Sequence, residues 1–423
     1  MTPIVSAILL LTINLGLLWL LMAAPVGRRT IRLHRTLEIS PERLWHAFHP
    51  GGEEASWNPF ILSSGPGQNR SDGIEIAYSH PDRHGAPIRR VFKVEENVDR
   101  ARHNYESHAR VIDDTALDIS FWRNFEEYRA VSPAPGGSTL ILAQTDTYRG
   151  LAGYLFRYFM IRRELSSLTA WLKSGRPKAG GMIEHPVTQI FLALLSTLLL
   201  WPFFGLSAGG LTISTILTLV IVLHELGHMA AYRAFGHERV RMIFVPLLGG
   251  IAIGGRPYNS RFEVATCALM GAGMSAFLVP VVISVHDFSA THVFPSSLRQ
   301  PALIFLLILG AFNLLNLLPM YRFDGGRVLR QIFPTRSLLV AGSFGITLLM
   351  LWVGYRIGLS SAALIAALSV FTLMSLIGFS SVKPRESLAP LHPGERLMAG
   401  LGLYSAVAIH SYGLVYACDR LFG

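Results

Sequence analysis

Hydrophobic and polar positions alternate in one part of the chain and separate into long blocks elsewhere. Within residues 30–175, stretches such as Gly73-IEIAYSH, Ile88-RRVFKVE and Thr139-LILAQTD place apolar side chains at every second position. That period predicts half-buried strands. Leu117-DISFWRNFEEYRAV reads as a further strand. Ser40-Pro41 opens a short helix, ERLWHAF, with serine as the expected N-cap and proline at the first helical position. A long amphipathic helix, Gly150-LAGYLFRYFMIRRELSSLTAWLKSG, closes the segment, and residues 176–185 read as a linker.

Outside that segment the apolar runs approach the ~20 residues that a helix needs to cross a bilayer. Eight are expected, at 3–24, 186–206, 211–233, 262–286, 300–320, 337–357, 360–381 and 398–418. No basic stretch precedes the first; Arg28, Arg29, Arg32 and Arg35 follow it. This pattern predicts an uncleaved anchor over 1–25 with its N-terminus outside. Eight spans then put both termini outside and residues 30–175 in the cytoplasm. The inside loops carry Arg239, Arg241, Arg256, Arg261, Arg322, Arg327, Arg330, Arg336, Lys383, Arg385 and Arg396. The outside segments hold little more than Arg299 and Arg356. The asymmetry follows the positive-inside rule.

Composition agrees with this reading. Of 423 residues 51% are hydrophobic and 15% charged, against about 25% charged in soluble domains. The net charge of +10 lies in loops rather than on one basic face, which argues against nucleic acid as a partner and suits an anionic bacterial plasma membrane. The two cysteines, Cys267 and Cys418, stand in apolar segments and give neither a disulfide framework nor a thiolate metal site.

The order strand, short helix, antiparallel strands, long helix over 30–175 describes an α+β helix-grip domain. It resembles the START-like polyketide cyclase superfamily. That resemblance implies a final helix lying across a curved sheet and an enclosed cavity for a lipid or another apolar ligand.

One apolar run carries chemistry. In LTISTILTLVIVLHELGHMAAYRAF, the residues His224, Glu225 and His228 are ionisable, and ionisable groups in a spanning helix mark function by default. Histidines four residues apart share a helix face and can hold one metal ion. Glu225 stands beside the first, placed to accept a proton rather than to bind metal. A catalytic zinc site wants a third protein ligand. His237 and Glu238 fall at the helix end and read as solvated end residues. Asp324, in Asn313-LLNLLPMYRFDGGRVL, is the better candidate, although Asp324-Gly325 alone is an ordinary turn and Pro319 alone a helix stop.

HELGH together with Asn316-Leu-Leu-Pro319-Met-Tyr-Arg-Phe-Asp324-Gly325 resembles the site-2 protease family of intramembrane zinc metalloproteases over residues 186–335. The resemblance implies one Zn2+ per chain held by His224, His228 and Asp324, with Glu225 as general base. Asn316 would contact the substrate backbone or a developing oxyanion, and neighbouring Asn313 would cap or pack. Between the motifs, Arg239-VRMIFVPLLGGIAIGG suits a hairpin dipping into the membrane; family members use such an element to pair with substrate as an added strand. Phe323 and Gly271-Ala272-Gly273-Met274 depart from the family pattern.

The chain therefore reads as a polytopic α-helical membrane protein with a metalloprotease core at 186–335, further spans over 336–423 and a cytoplasmic helix-grip domain. Its expected partner is a transmembrane protein substrate. A non-enzymatic lipid sensor would not need Glu225 and Asp324, and a metal transporter would need further membrane ligands along a path.

Overall fold

The structure is a computed structural model. It describes the chain except residues 1–11, 14, 15, 18, 22, 53, 68–72, 83, 177–184, 248, 291–292, 321–322, 377–384 and 386. The chain forms two compact units.

The smaller unit is built on one antiparallel sheet. Its strands are β1 (Pro25–Leu37), β2 (Ile61–Pro66), β3 (Gly73–Pro81), β4 (Pro87–Asp99), β5 (Asn104–Asp114), β6 (Glu126–Ala134) and β7 (Gly137–Arg149). They lie in the order β1-β7-β6-β5-β4-β3-β2, a meander whose last strand returns to pair with the first. Helix α1 (Pro41–Phe48) follows β1, and α2 (Leu151–Ser174) follows β7. Ile31, Leu140 and Leu142 of the sheet pack with Ile161, Leu165 and Leu168 of α2 and with Leu44 and Phe48 of α1. Each such buried side chain contributes about 1.5–3 kcal/mol relative to exposure. Gly175, at φ +68, ends α2 by donating its N–H to Trp171 O at 2.7 Å, a left-handed cap that glycine adopts without strain.

Two local expectations change here. Ser40 occupies the N-cap of α1 but makes no side-chain cap, leaving Pro41 to start the helix. The stretch from Leu117 is a strand only in its second half. Ile119–Trp122 forms a 3-10 turn capped by Asp118, which accepts from Ser120 N–H at 2.9 Å, so β6 begins at Glu126. Arg385 also belongs to this unit. Its guanidinium donates to Asp113 Oδ1 and to Asp114 O at 2.8 Å each.

The larger unit is helical. It contains α3 (Pro186–Leu200), α4 (Ala208–Ala234), α5 (Arg261–Ala276), α6 (Leu278–Ala290), α7 (Arg299–Asn316), α8 (Asp324–Ile332), α9 (Arg336–Arg356), α10 (Ser361–Leu376) and α11 (Pro393–Leu421). A hairpin of β8 (Arg241–Val245) and β9 (Gly249–Ile253) follows α4. Six helices among the described residues are long and apolar enough to cross a membrane: Pro186–Phe204, Ala208–Ala234, Arg261–Ser289, Ser296–Asn316, Arg336–Arg356 and Pro393–Leu421.

The expected count of eight is not reached there. The anchor at 3–24 lies largely outside the described residues. The run at 360–381 is helical over Ser361–Leu376, with Ser361–Val370 as its apolar described part, and residues 377–381 lie outside the described residues. The fourth run is interrupted at Phe277, between α5 and α6, three residues before Pro280, which has no N–H to give to Ala276. Leu403, Val407 and Leu414 of α11 share one core with Ala268 and Ala272 of α5, Leu314 of α7 and Val328 of α8.

Candidate metal centre

Helix α4 is 27 residues long and mostly apolar. Ser207 caps it, its side chain accepting from Gly210 N–H at 3.1 Å. The following apolar turns carry His224 and His228 on one face, roughly 24 Å along the axis at 1.5 Å per residue. Both rings are fixed through Nδ1. His224 Nδ1 lies 2.8 Å from Asn313 Oδ1, and His228 Nδ1 lies 2.7 Å from the carbonyl oxygen of Cys267. Such partners set the tautomer and leave Nε2 with its lone pair outward.

The third point comes from α8. Asp324 is its first residue, where the helix dipole favours a carboxylate. Its Oδ2 lies 3.1 Å from His224 Nε2 and 3.2 Å from His228 Nε2, and the two Nε2 atoms are 3.1 Å apart. Ligands about 2.0–2.1 Å from a tetrahedral zinc would stand roughly 3.3 Å from one another, so this nearly equilateral triangle fits one face of such a site. The residues suit zinc: two imidazoles and a carboxylate, with His224 and Asp324 buried and His228 nearly so.

Close backbone approach makes the triangle possible. A Cβ on Gly227 would strike Met270 O. One on Gly271 would fall 2.6 Å from His224 Nε2 and 2.5 Å from His228 Nε2. Gly325 and Gly326 likewise press against the carbonyls of Leu317 and Met320, which seats Asp324 directly below the end of α7. Tyr232, one turn after His228, shares its hydroxyl with Tyr258 at 2.7 Å, and Arg327, one turn after Asp324, donates to Tyr258 at 3.2 Å.

Glu225 points to the hairpin. Its Oε2 accepts from Ala252 N–H at 2.8 Å, and its ligand atom lies within 4.8 Å of those of His224 and His228. Asp324 Oδ2 stands within hydrogen-bonding distance of both Nε2 atoms, whereas Glu225 is engaged by Ala252 of β9. The hairpin's other strand is tied to α3. Phe244 N–H donates to Gln189 Oε1 at 2.5 Å and Leu247 N–H to Ser196 Oγ at 3.2 Å.

His224, Glu225, His228 and Asp324 are thus brought together. Asn316 is placed differently: its amide donates to Phe312 O at 3.0 Å, one turn back in its own helix. Asn313, expected to cap or pack, is fully buried and holds His224. The available signal was spacing, since a second polar amide three residues before Asn316 shares its helix face. His237 also differs from expectation. It is buried and paired with Glu263 at 2.7 Å instead of being a solvated end residue.

The smaller unit holds a second polar cluster. Arg129 Nε donates to Glu127 at 2.7 Å, and its Nη2 reaches Glu164 of α2 at 3.4 Å; Gln144 donates to Glu127 at 2.7 Å. Burial, with Glu127 nearby, pushes the Glu164 carboxyl up to about 7 against the opposing pull of Arg129. Glu164 also lines a cleft of about 50 Å³ with Asn58, Phe60, Met160, Arg163 and Ser167.

No family model matches the chain. Over 142 residues it is 29% identical to Zinc metalloprotease MJ0392 of Methanocaldococcus jannaschii, a match covering 32% of this chain and 40% of that protein. The match therefore spans about two fifths of the relative's length. Several solved structures align with about a third of the chain. Ara h 8.0201 does so at 15% identity and TM-score 0.28, covering 35% of this chain and 99% of its own. A START superfamily protein from Mycobacterium smegmatis gives 12% and 0.24, covering 35% and 97%. Protein CV1439 from Chromobacterium violaceum gives 20% and 0.24, covering 34% and 96%. At these scores the likeness carries no argument; the helix-grip description rests on strand order and on the packing of α2.

Proposed function

We propose that the chain is an intramembrane zinc metalloendopeptidase of the site-2 protease type, cleaving transmembrane segments of other membrane proteins. The observation that carries this reading is the triangle of His224 Nε2, His228 Nε2 and Asp324 Oδ2 with the Glu225 carboxylate beside it, the two histidines and Glu225 being set in a helix long and apolar enough to cross a membrane. The partial similarity to a zinc metalloprotease supports it.

His224, His228 and Asp324 would hold one zinc ion per chain. Zinc bound there supplies Lewis-acid polarisation of a peptide carbonyl and acidifies a water toward pKa about 7. Glu225 takes the proton on Oε1, since Oε2 is held by Ala252, and returns it to the leaving amine. A substrate helix must unwind before its carbonyls are accessible, because intact helical carbonyls are already hydrogen-bonded. The outer edge of β9 suits the unwound segment. Ala252 directs its N–H away from β8 and toward Glu225, so a strand added there would pass the base. Asn316 is proposed to contact that segment.

Orientation follows the charge asymmetry. The helix-grip unit lies in the cytoplasm of a bacterial cell, Asp324 lies on the cytoplasmic side of the membrane core, the anchor occupies 3–24, and both termini are outside. The helix-grip unit gates the protease by binding an apolar ligand such as a lipid. The test of the protease reading compares membrane-protein fragments in cells carrying the native chain and cells carrying Glu225→Gln. Fragments cut within spans should disappear in the variant. Identical fragment patterns at equal protein levels would reject it.

A further inference from the structure

The helix-grip unit buries one side of α2 but leaves part of the other bare. Leu155, Phe156, Phe159 and Met160 are exposed, Phe156 by 63%. Positions i, i+1, i+4 and i+5 make one stripe on a helix. The stripe occupies turns two and three, roughly 6–14 Å from Leu151 at 1.5 Å per residue. Four contiguous large apolar side chains on a charged domain mark an interaction surface rather than the usual scatter of single exposed residues.

The start of α2 is fixed beside the point where the first apolar run ends. Gly150 N–H donates to Ala24 O at 2.8 Å, and Pro25 is the partner of Arg149 across β1 and β7. If residues 3–24 span the bilayer, Ala24 lies at the surface where the anchor emerges, and the stripe begins within about 6 Å of helix axis from there. Its flanks are basic: Arg149 and Arg162 are exposed at its two ends. Apolar residues bordered by arginine, next to a membrane exit, have the chemistry of a segment seated at an anionic headgroup layer.

We infer that turns two and three of α2 dock the helix-grip unit onto the surface of an anionic bilayer, with Leu155, Phe156, Phe159 and Met160 entering the headgroup–acyl boundary and Arg149 and Arg162 pairing with lipid phosphates. This rests on the anchor reading of residues 3–24 and not on the protease chemistry. Docking fixes the end of the unit from which α2 starts and leaves the far end of α2, which leads into the linker, free to respond to a ligand.

The test uses the full chain in vesicles of three parts phosphatidylcholine to one part phosphatidylglycerol, as a rough mimic of an anionic leaflet. Cys267 and Cys418 are buried, so Phe156→Cys and Phe159→Cys can be labelled with a polarity-sensitive fluorophore. Two reference labels accompany them. Phe344→Cys lies mid-helix in α9 at an exposed position, and Val98→Cys sits at the exposed end of β4. Lipids carrying a quencher near the headgroup and aqueous iodide are then added separately. Docking predicts that labels at 156 and 159 are quenched by lipid and shielded from iodide, while Val98→Cys behaves oppositely. Removing Arg162 as Arg162→Gln should weaken the docking equilibrium about fivefold, since each arginine at an anionic surface contributes about 1 kcal/mol. Iodide quenching of 156 and 159 without lipid quenching overturns the proposal. So does shielding from both quenchers, which would mean that protein covers the stripe. A Phe344→Cys label untouched by quenching lipid placed deep in the chains would instead reject the membrane reading itself.

Discussion

Ala252 of the hairpin donates its backbone N–H to Oε2 of Glu225 at 2.8 Å, so the edge strand and the proposed general base are one unit. Gly250, two residues earlier on the same strand, has no room for a side chain: its Cβ would meet the Glu225 carboxyl arm. Gly250→Ala should displace that arm without touching a metal ligand. The expected outcome is full zinc content with cleavage reduced about 10²-fold, the cost of an ångström-scale misplacement. Paired zinc analysis and turnover of a transmembrane substrate check it.

The two asparagines of α7 should separate cleanly. Asn313→Ala removes the partner of His224 Nδ1, and loss of such a partner typically costs 10–100-fold in metal affinity or activity. Asn316→Ala leaves every contact of the metal triangle in place and should keep zinc affinity while lowering cleavage. Zinc titration against a competing chelator distinguishes the two.

Gly227 and Gly271 let α4 and α5 approach until the Met270 carbonyl and the histidine rings fill the space. Gly271→Ala should expel the metal, because the new methyl occupies the space of the two Nε2 atoms. Gly227→Ala should force the helices apart at a cost of about 1–3 kcal/mol. Zinc content measures the first. A lowered midpoint of thermal unfolding in detergent measures the second.

The helix-grip unit should lose stability as pH rises. The Glu164 carboxyl sits near 7 when folded, against about 4.3 in an unfolded chain. Between those values the folded state holds the extra proton, so stability is full below about pH 4.3 and falls as pH rises through 7. The side chain is 19% exposed, and the loss should be roughly 1–3 kcal/mol. Hydrogen-exchange protection of β6 and β7 amides in the full chain, corrected for intrinsic rates, should decline from pH 5 to pH 8. Glu164→Gln should flatten that profile.

Much of this architecture is legible in the residues. The period-two runs correspond to β3, β4 and β7, most clearly in β7, where Ser138, Leu140 and Leu142 are buried at every second position, and the apolar blocks correspond to six long helices because length and hydropathy alone define them. His224 and His228 were visible because local spacing on one helix sets their geometry. What escaped depends on particular side-chain contacts that no period marks. Asn313 and Asn316 are equally polar, and only the packing of α7 on α4 decides which one reaches His224. His237 looks solvated until the carboxylate of Glu263 from α5 closes over it. The 3-10 turn at Ile119–Trp122 interrupts an apparent strand because Asp118 caps it and Trp122 Nε1 donates to Asp114 at 3.0 Å. The period-two pattern marks neither partner, although Asp114 lies only eight residues before Trp122. The helix α11 belongs with the metal-site helices through core packing that its distance along the chain conceals.

The most direct test of the metal-centre assignment is the zinc content of four purified proteins measured side by side: the native chain, Glu225→Gln, His228→Ala and Asp324→Ala. The account predicts one zinc per native chain, one in Glu225→Gln because the base is not a ligand, and substoichiometric zinc in His228→Ala and Asp324→Ala. Full zinc in Asp324→Ala, or its loss from Glu225→Gln, would contradict it.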